Sequence, residues 1–114
     1  MEGCIFCKIA RKELPAKIVY EDDRIIAFED INKCAPIHVL AITKQHLDCV
    51  LDINDGNKDL LGDLHIAIGK IAKESGIADT GFRLVNNCGK DADQTVKHLH
   101  YHIIGGTHLG HRMA

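Results

Sequence analysis

The sequence predicts an α+β domain: a five-stranded antiparallel sheet with one long and one short helix. Three observations carry that expectation. Short β-branched runs bounded by turn residues lie on both sides of one long segment with helical periodicity. Strands, then a helix, then strands is the order of a chain whose antiparallel sheet is covered on one face. The 114 residues suffice for one core and not for two, so residues 1–114 are expected to form a single domain.

The elements follow in order. "CIFCKIARKEL" can form a short first helix that turns Ile5, Phe6 and Ile9 inward, and Pro15 sets its outer limit. "AKIVYED" and "RIIAFED" read as two strands joined at Asp22-Asp23. "PIHVLAIT" is a third strand. "DINDGN" is a turn and helix start, its Asp and Asn side chains available as caps. Leu60, Leu61, Leu64, Ile68, Ile71 and Ala72 recur at three- and four-residue spacing, and Gly76 marks the stop of this long helix. "GFRLVNN" and "HLHYHII" are the fourth and fifth strands. In the fifth, Leu99, Tyr101 and Ile103 should face the core, which places His98, His100 and His102 together on the other face.

Hydrophobic content of 46% and charged content of 26% are ordinary for a globular chain. A net charge of −2 gives no general attraction to nucleic acid or to an anionic membrane, and no stretch approaches spanning length. The first residues lack the apolar run of a signal peptide. Five unevenly spaced cysteines then read as reduced, in a cytoplasmic protein, rather than as a disulfide framework.

Histidine is the unusual residue, eight in 114. On a strand, residues two apart project the same way about 6.6–6.8 Å along the chain, so His98 and His102 are about 13 Å apart at the backbone. One metal ion cannot reach all three without a bend, although two neighbours could share one, as in zinc hydrolases with an H-x-H strand pair. A row of imidazoles also suits contacts along a phosphate and its leaving group, because a neutral imidazole attacks phosphorus and its neighbours donate hydrogen bonds. Cys4 and Cys7 form a C-x-x-C pair. No strand precedes it, which argues against a redox motif, and it suits either half of a zinc site or two apolar residues on a helical turn. Gly62, Ile66 and Gly69 make a second face on the long helix, where glycine is costly unless another backbone approaches.

"HLHYHII" resembles the H-x-H-x-H-x-x motif of the histidine triad nucleotide-binding family. "IFCKIARKELPAKIVYEDDRIIAFEDI", "APIHVLAITKQH" and "LVNNCG" are similar to that family's earlier landmarks, and Gly105-Gly106 is similar to its small Hint branch. The resemblance implies a homodimer with a HIT-like fold that cleaves purine nucleoside phosphoramidates through a nucleotidyl-histidine. A binding module with little turnover and an H-x-H zinc hydrolase are the rival functions. Carried onto this chain, the resemblance makes His100 the nucleophile and His102 a contact to phosphate and leaving group. His98 supports the site from behind, and His38 joins the network. Asn87, Gln94 and Thr95 match the family's phosphate loop. Ile5, Phe6, Ile9, Phe28 and Ile31 match its purine pocket, and Asp30 matches its acceptor for the ribose hydroxyls. Bacterial members similar to this chain hold a structural zinc on residues matching Cys4, Cys7, His46 and His98, and no catalytic metal is implied. Two departures stand out. Asp93 occupies a position commonly glycine, and "THLGHRMA" lacks the branch's Trp-Pro-Pro tail.

Overall fold

The computed structural model describes residues 3–112. Two helices, α1 (Ile5–Ala10) and α2 (Lys58–Glu74), accompany five strands: β1 (Ile18–Glu21), β2 (Ile25–Glu29), β3 (Ile37–Thr43), β4 (Phe82–Val85) and β5 (His100–Gly105). The strands form one antiparallel sheet in the order β1-β2-β3-β5-β4, as the α+β expectation requires. Asp22 shapes the first hairpin, its Oδ1 accepting from the amides of Arg24 and Ile25 at 2.9 and 2.8 Å. Among the described residues no helix is long and apolar enough to cross a membrane.

The sheet is covered on both faces, not on one. Ile25, Ile26, Ala27 and Phe28 are all buried, and side chains alternate across a strand, so both faces of β2 lie beneath other structure. Ile25, Ala27, Val39, Ala41 and Ile103 pack against the apolar stripe of α2. Ile26, Phe28, Leu40 and Ile42 pack against Phe6 and Ile9 of α1. Burying two such side chains is worth about 1.5–3 kcal/mol each, enough to dock a six-residue helix that could not stand alone. The histidine face is therefore roofed by α1. His98 and His100 are buried and His102 is half-buried.

Two local expectations change. The fifth strand begins at His100, so His98 and Leu99 precede it, with the Leu99 amide donating to the Leu47 carbonyl at 2.6 Å. The polar cluster before α2 makes turns instead of a cap. Asn54 Oδ1 accepts from the Gly56 amide and Asn57 Oδ1 from the Asn54 amide, each at 2.8 Å, and Asn57 at the cap position makes no side-chain cap bond. At the other end Gly76 holds φ +78°, and the Ile77 amide reaches back to Ala72 O at 3.1 Å while Gly76 N reaches Lys73 O at 3.2 Å. This is the Schellman arrangement, with buried Ile77 as its apolar clasp.

Candidate active site

A cleft of about 810 Å³ opens beside α1, with His100 and His102 on its wall. Ile5, Phe6, Ile9 and Phe28 give it an apolar end, and Asp30 and Ile31 border it where the chain leaves β2. Ile31 is 97% exposed, so it is a rim residue with room to fold over a ligand. Asn87 and Thr95 come from the loop that leads into β5. His98, His38 and Gln94 do not line the cleft.

His100 is fixed by its neighbours. Phe6 stacks edge-on against its ring, 5.1 Å between centroids at 85°. Its Nδ1 lies 2.7 Å from the His98 carbonyl, an acceptor only, so Nδ1 carries the proton and donates. In the neutral ring Nε2 then keeps a free lone pair, the tautomer a nucleophile needs.

His102 is set to the opposite polarity. The Cys34 amide donates to His38 Nδ1 at 3.1 Å, which leaves the His38 proton on Nε2. That Nε2–H lies 2.9 Å from His102 Nδ1 and 3.2 Å from Asp30 Oδ2. His102 Nδ1 is therefore an acceptor, and its own proton sits on Nε2. Burial, aided by the rings of His100 and His38, pushes the His102 pKa down to about 4, so the ring is neutral near pH 7. A neutral His102 with Nε2–H offers a hydrogen-bond donor and no lone pair. An H-x-H metal pair formed by His100 and His102 would need the reverse.

Behind this pair stands a second cluster. Ligand atoms of Cys4, Cys7, His46 and His98 all lie within 4.8 Å of one another. His98 Nδ1 is 3.3 Å from Cys4 Sγ and 3.5 Å from Cys7 Sγ, and His46 Nδ1 is 3.2 Å from Cys7 Sγ. Metal–ligand bonds of about 2.0–2.3 Å put tetrahedral zinc ligands about 3.3–3.8 Å apart, which this spacing nearly meets. Each imidazole is also held in the tautomer a metal requires. His98 Nε2–H donates to Thr43 O and His46 Nε2–H to Asp48 Oδ1, both at 2.7 Å, so both Nδ1 lone pairs face the sulfurs. Burial, then the adjacent Cys4 thiol, pushes the Cys7 pKa up, and burial drives that of His98 down to about 4. A buried Cys7 thiol that resists ionising, the half-buried Cys4 thiol beside it and two imidazoles whose Nδ1 atoms face the sulfurs suit a divalent cation that would supply the missing charge.

Gln94 works within its own loop. Its Oε1 accepts from the Gly89 amide at 2.9 Å, and its Nε2 donates to the carbonyls of Asp48 and Val96 at 2.7 and 3.1 Å. It staples the loop to the segment whose Asp48 orients His46. Sequence reasoning passed over Thr43 and Asp48; "HLD" holds a hint in a carboxylate two residues after a candidate ligand. It also passed over the ion pairs of Lys17 and Lys33 with Glu29 on the cleft rim.

The chain matches the family model described as scavenger mRNA decapping enzyme C-term binding over residues 3–114. It is 48% identical to the protein HitA of Neisseria gonorrhoeae over 105 residues, 92% of this chain and 97% of that one. It is 41% identical to the purine nucleoside phosphoramidase of Escherichia coli K12 over 113 residues, 99% of this chain and 95% of that one. A HIT family hydrolase from Clostridium thermocellum superposes with a TM-score of 0.96 at 51% identity, covering 100% and 99% of the two chains. A histidine triad protein from Clostridium difficile superposes at 0.94 with 52% identity, covering 97% and 96%. Sequence, fold and the row of imidazoles running from His98 into β5 agree: the chain belongs to the histidine triad (HIT) family.

Proposed function

We propose that this protein hydrolyses purine nucleoside 5′-phosphoramidates, or similar derivatives of nucleoside monophosphates, through a covalent nucleotidyl-His100. The observation that carries the reading is the hydrogen bond from His100 Nδ1–H to the His98 carbonyl, which leaves Nε2 with its lone pair on the wall of the cleft. The E. coli relative's name, purine nucleoside phosphoramidase, supports the substrate class.

In the first step Nε2 of His100 bonds to the α-phosphorus and the P–N bond breaks. The nitrogen leaves as the amine, taking up one proton. In the second step water attacks phosphorus, the P–Nε2 bond breaks, and the water gives back one proton as the nucleoside monophosphate forms. His102 Nε2–H serves as donor to the phosphoryl oxygens or the departing atom, held in that role by His38 and Asp30. The apolar end of the cleft, with Phe6 and Phe28 at its wall, suits a purine, and Asp30 suits the ribose hydroxyls.

Zinc on Cys4, Cys7, His46 and His98 is part of this reading, in a structural role. A cation there would supply charge neutralisation and tie α1 to the sheet. Of the three alternating histidines, one then anchors and two face substrate. A single domain over 1–114, a homodimer and a reducing, cytoplasmic compartment complete it. Five free cysteines support the compartment. The dimer is supported by α2, where Ile66 is 62% exposed and a methyl group at Gly62 or Gly69 would meet nothing within 4 Å.

The decisive experiment is mass spectrometry of protein mixed with an adenosine phosphoramidate and quenched within milliseconds. An adenylyl group mapped to His100 is the expected result. Turnover with no adduct on His100, or turnover abolished by chelation with no adduct formed, would overturn the mechanism.

A further inference from the structure

Asp93 plays no part in the chemistry described so far. It lines the same cleft as Asn87, Thr95, His100 and His102, in the loop that runs directly into β5, so its carboxylate belongs to the phosphate end. Its backbone is left-handed, φ 58° and ψ 42°, a region that disfavours any residue with a side chain, Asn and Asp least. Asp93 enters none of the ion pairs formed among the described residues. The two lysines on the cleft, Lys17 and Lys33, are both committed to Glu29. An exposed, unpaired carboxylate beside a phosphate subsite repels the anion that the site must hold. The arrangement favours a substrate that brings its own positive charge to that end.

Resting on the reading given under Proposed function, we propose that Asp93 is a specificity-determining residue that selects phosphoramidates whose leaving amine carries a further positive charge, as a diamine does. The nucleoside end of such a substrate is neutral and is met by apolar side chains and Asp30. The phosphoryl group is anionic and is met by His102 and loop donors. The charged tail of the leaving group is met by Asp93. Release is helped by the same charge: once the cationic amine has left, Asp93 faces only the nucleoside monophosphate and repels it.

The test compares adenosine 5′-phosphoramidates of ethylenediamine and n-propylamine, nearly equal in shape and different by one charge. Wild type should favour the diamine in kcat/KM by about three- to fivefold at low salt, the size of an exposed ion pair. The advantage should shrink as sodium chloride rises and the Debye length shortens. Asp93→Asn keeps the residue's tolerance for the left-handed backbone and removes the charge, whereas Asp93→Gly also relaxes the backbone. Both should erase the preference, and Asp93→Asn should bind AMP more tightly than wild type. A wild type without preference, a preference that survives both variants, or one lost only in Asp93→Gly would overturn the assignment. If wild type cleaves neither substrate, the hydrolytic reading is what fails. AMP affinity then decides on Asp93 alone: equal binding by wild type and Asp93→Asn rejects its electrostatic role.

Discussion

The carbonyl of His98 accepts the Nδ1–H of His100 at 2.7 Å, while the imidazole of the same His98 faces the sulfurs of Cys4 and Cys7. One residue thus touches both His100 and the cysteine cluster, through its main chain on one side and its ring on the other. Whatever fixes the ring of His98 also fixes the acceptor that sets the tautomer of His100. The Cys4–Cys7–His46–His98 cluster and the His100–His102 pair are mechanically one unit.

Replacing His100 gives the sharpest consequence. His100→Ala should lower hydrolysis by at least about a thousandfold, as loss of a covalent nucleophile does. Nucleotide affinity should change only a few-fold, because the apolar end and Asp30 stay intact. Rapid-quench kinetics with equilibrium binding on the same variant checks both halves. A variant with most of its activity intact has a different nucleophile.

Asp30 lies 3.2 Å from the His38 Nε2–H and also lines the cleft, where the proposed reading gives it the ribose hydroxyls. Asp30→Ala should cost ribonucleotides about ten- to a hundredfold in affinity, the range for hydrogen bonds to a charged group, and 2′,3′-dideoxynucleotides much less. It should also lower kcat by loosening the His38–His102 pair. Isothermal titration with both ligand types separates these effects. Equal losses would show that Asp30 serves only the histidines.

How far the sequence reaches depends on how local each feature is. The five strands and α2 are written in periods of two and of three to four residues, and each appears in the segment those periods mark, β5 starting two residues later than its run. The C-x-x-C pair and the alternating histidines are equally visible. Their meeting is not written in spacing, because Cys4 and His98 are 94 residues apart and come together only when α1 docks on the sheet; only the family resemblance joins them with His46. The roof over the histidine face escaped for the same reason: Phe6 and Ile9 lie on a helix too short for periodicity to announce a partner. Asn57 and Gln94 show a second limit. A polar side chain in a loop can bond to several backbone groups, and the choice belongs to the folded loop.

If the cysteine cluster holds zinc, protein purified without an affinity tag should carry one zinc per chain, and a Cys4→Ser, Cys7→Ser variant none. Loss of the metal should lower the thermal midpoint by on the order of 10 °C, since it releases the clamp between α1 and the sheet. Nucleotide turnover at a permissive temperature should fall less steeply. Elemental analysis and calorimetry decide it, and a variant that keeps its metal would refute the ligand set.

The burial of His102 predicts the direction of acid sensitivity. Its folded pKa of about 4 lies below the ordinary value of 6.5, so the unfolded chain takes up this proton first as pH falls. Stability from the neutral ring is complete above about pH 6.5 and is lost progressively toward pH 4, amounting to on the order of 3 kcal/mol. Carboxylates held down by ion pairs, such as Glu21 and Glu29, lose their contribution in the same direction and add to the slope. His102→Gln should therefore flatten the dependence without abolishing it. Urea unfolding at intervals from pH 4 to 7 provides the check, and an unchanged slope in the variant would remove His102 from the account.

The glycines of α2 allow a test of assembly in which the sign of the effect decides. Neither Gly62 nor Gly69 is needed inside one chain, because an added Cβ at either would meet nothing within 4 Å. On a free helix surface, Gly→Ala stabilises by about 1 kcal/mol per site. On a face pressed against a partner's backbone, the same methyl groups separate the two subunits. The Gly62→Ala, Gly69→Ala double variant should therefore weaken self-association, and Ile66→Asp, a charge placed between the two glycines, should abolish it. Sedimentation equilibrium at micromolar concentration measures both. A wild type that sediments as a monomer, or a double variant that gains stability and keeps its association constant, would leave this face without a partner.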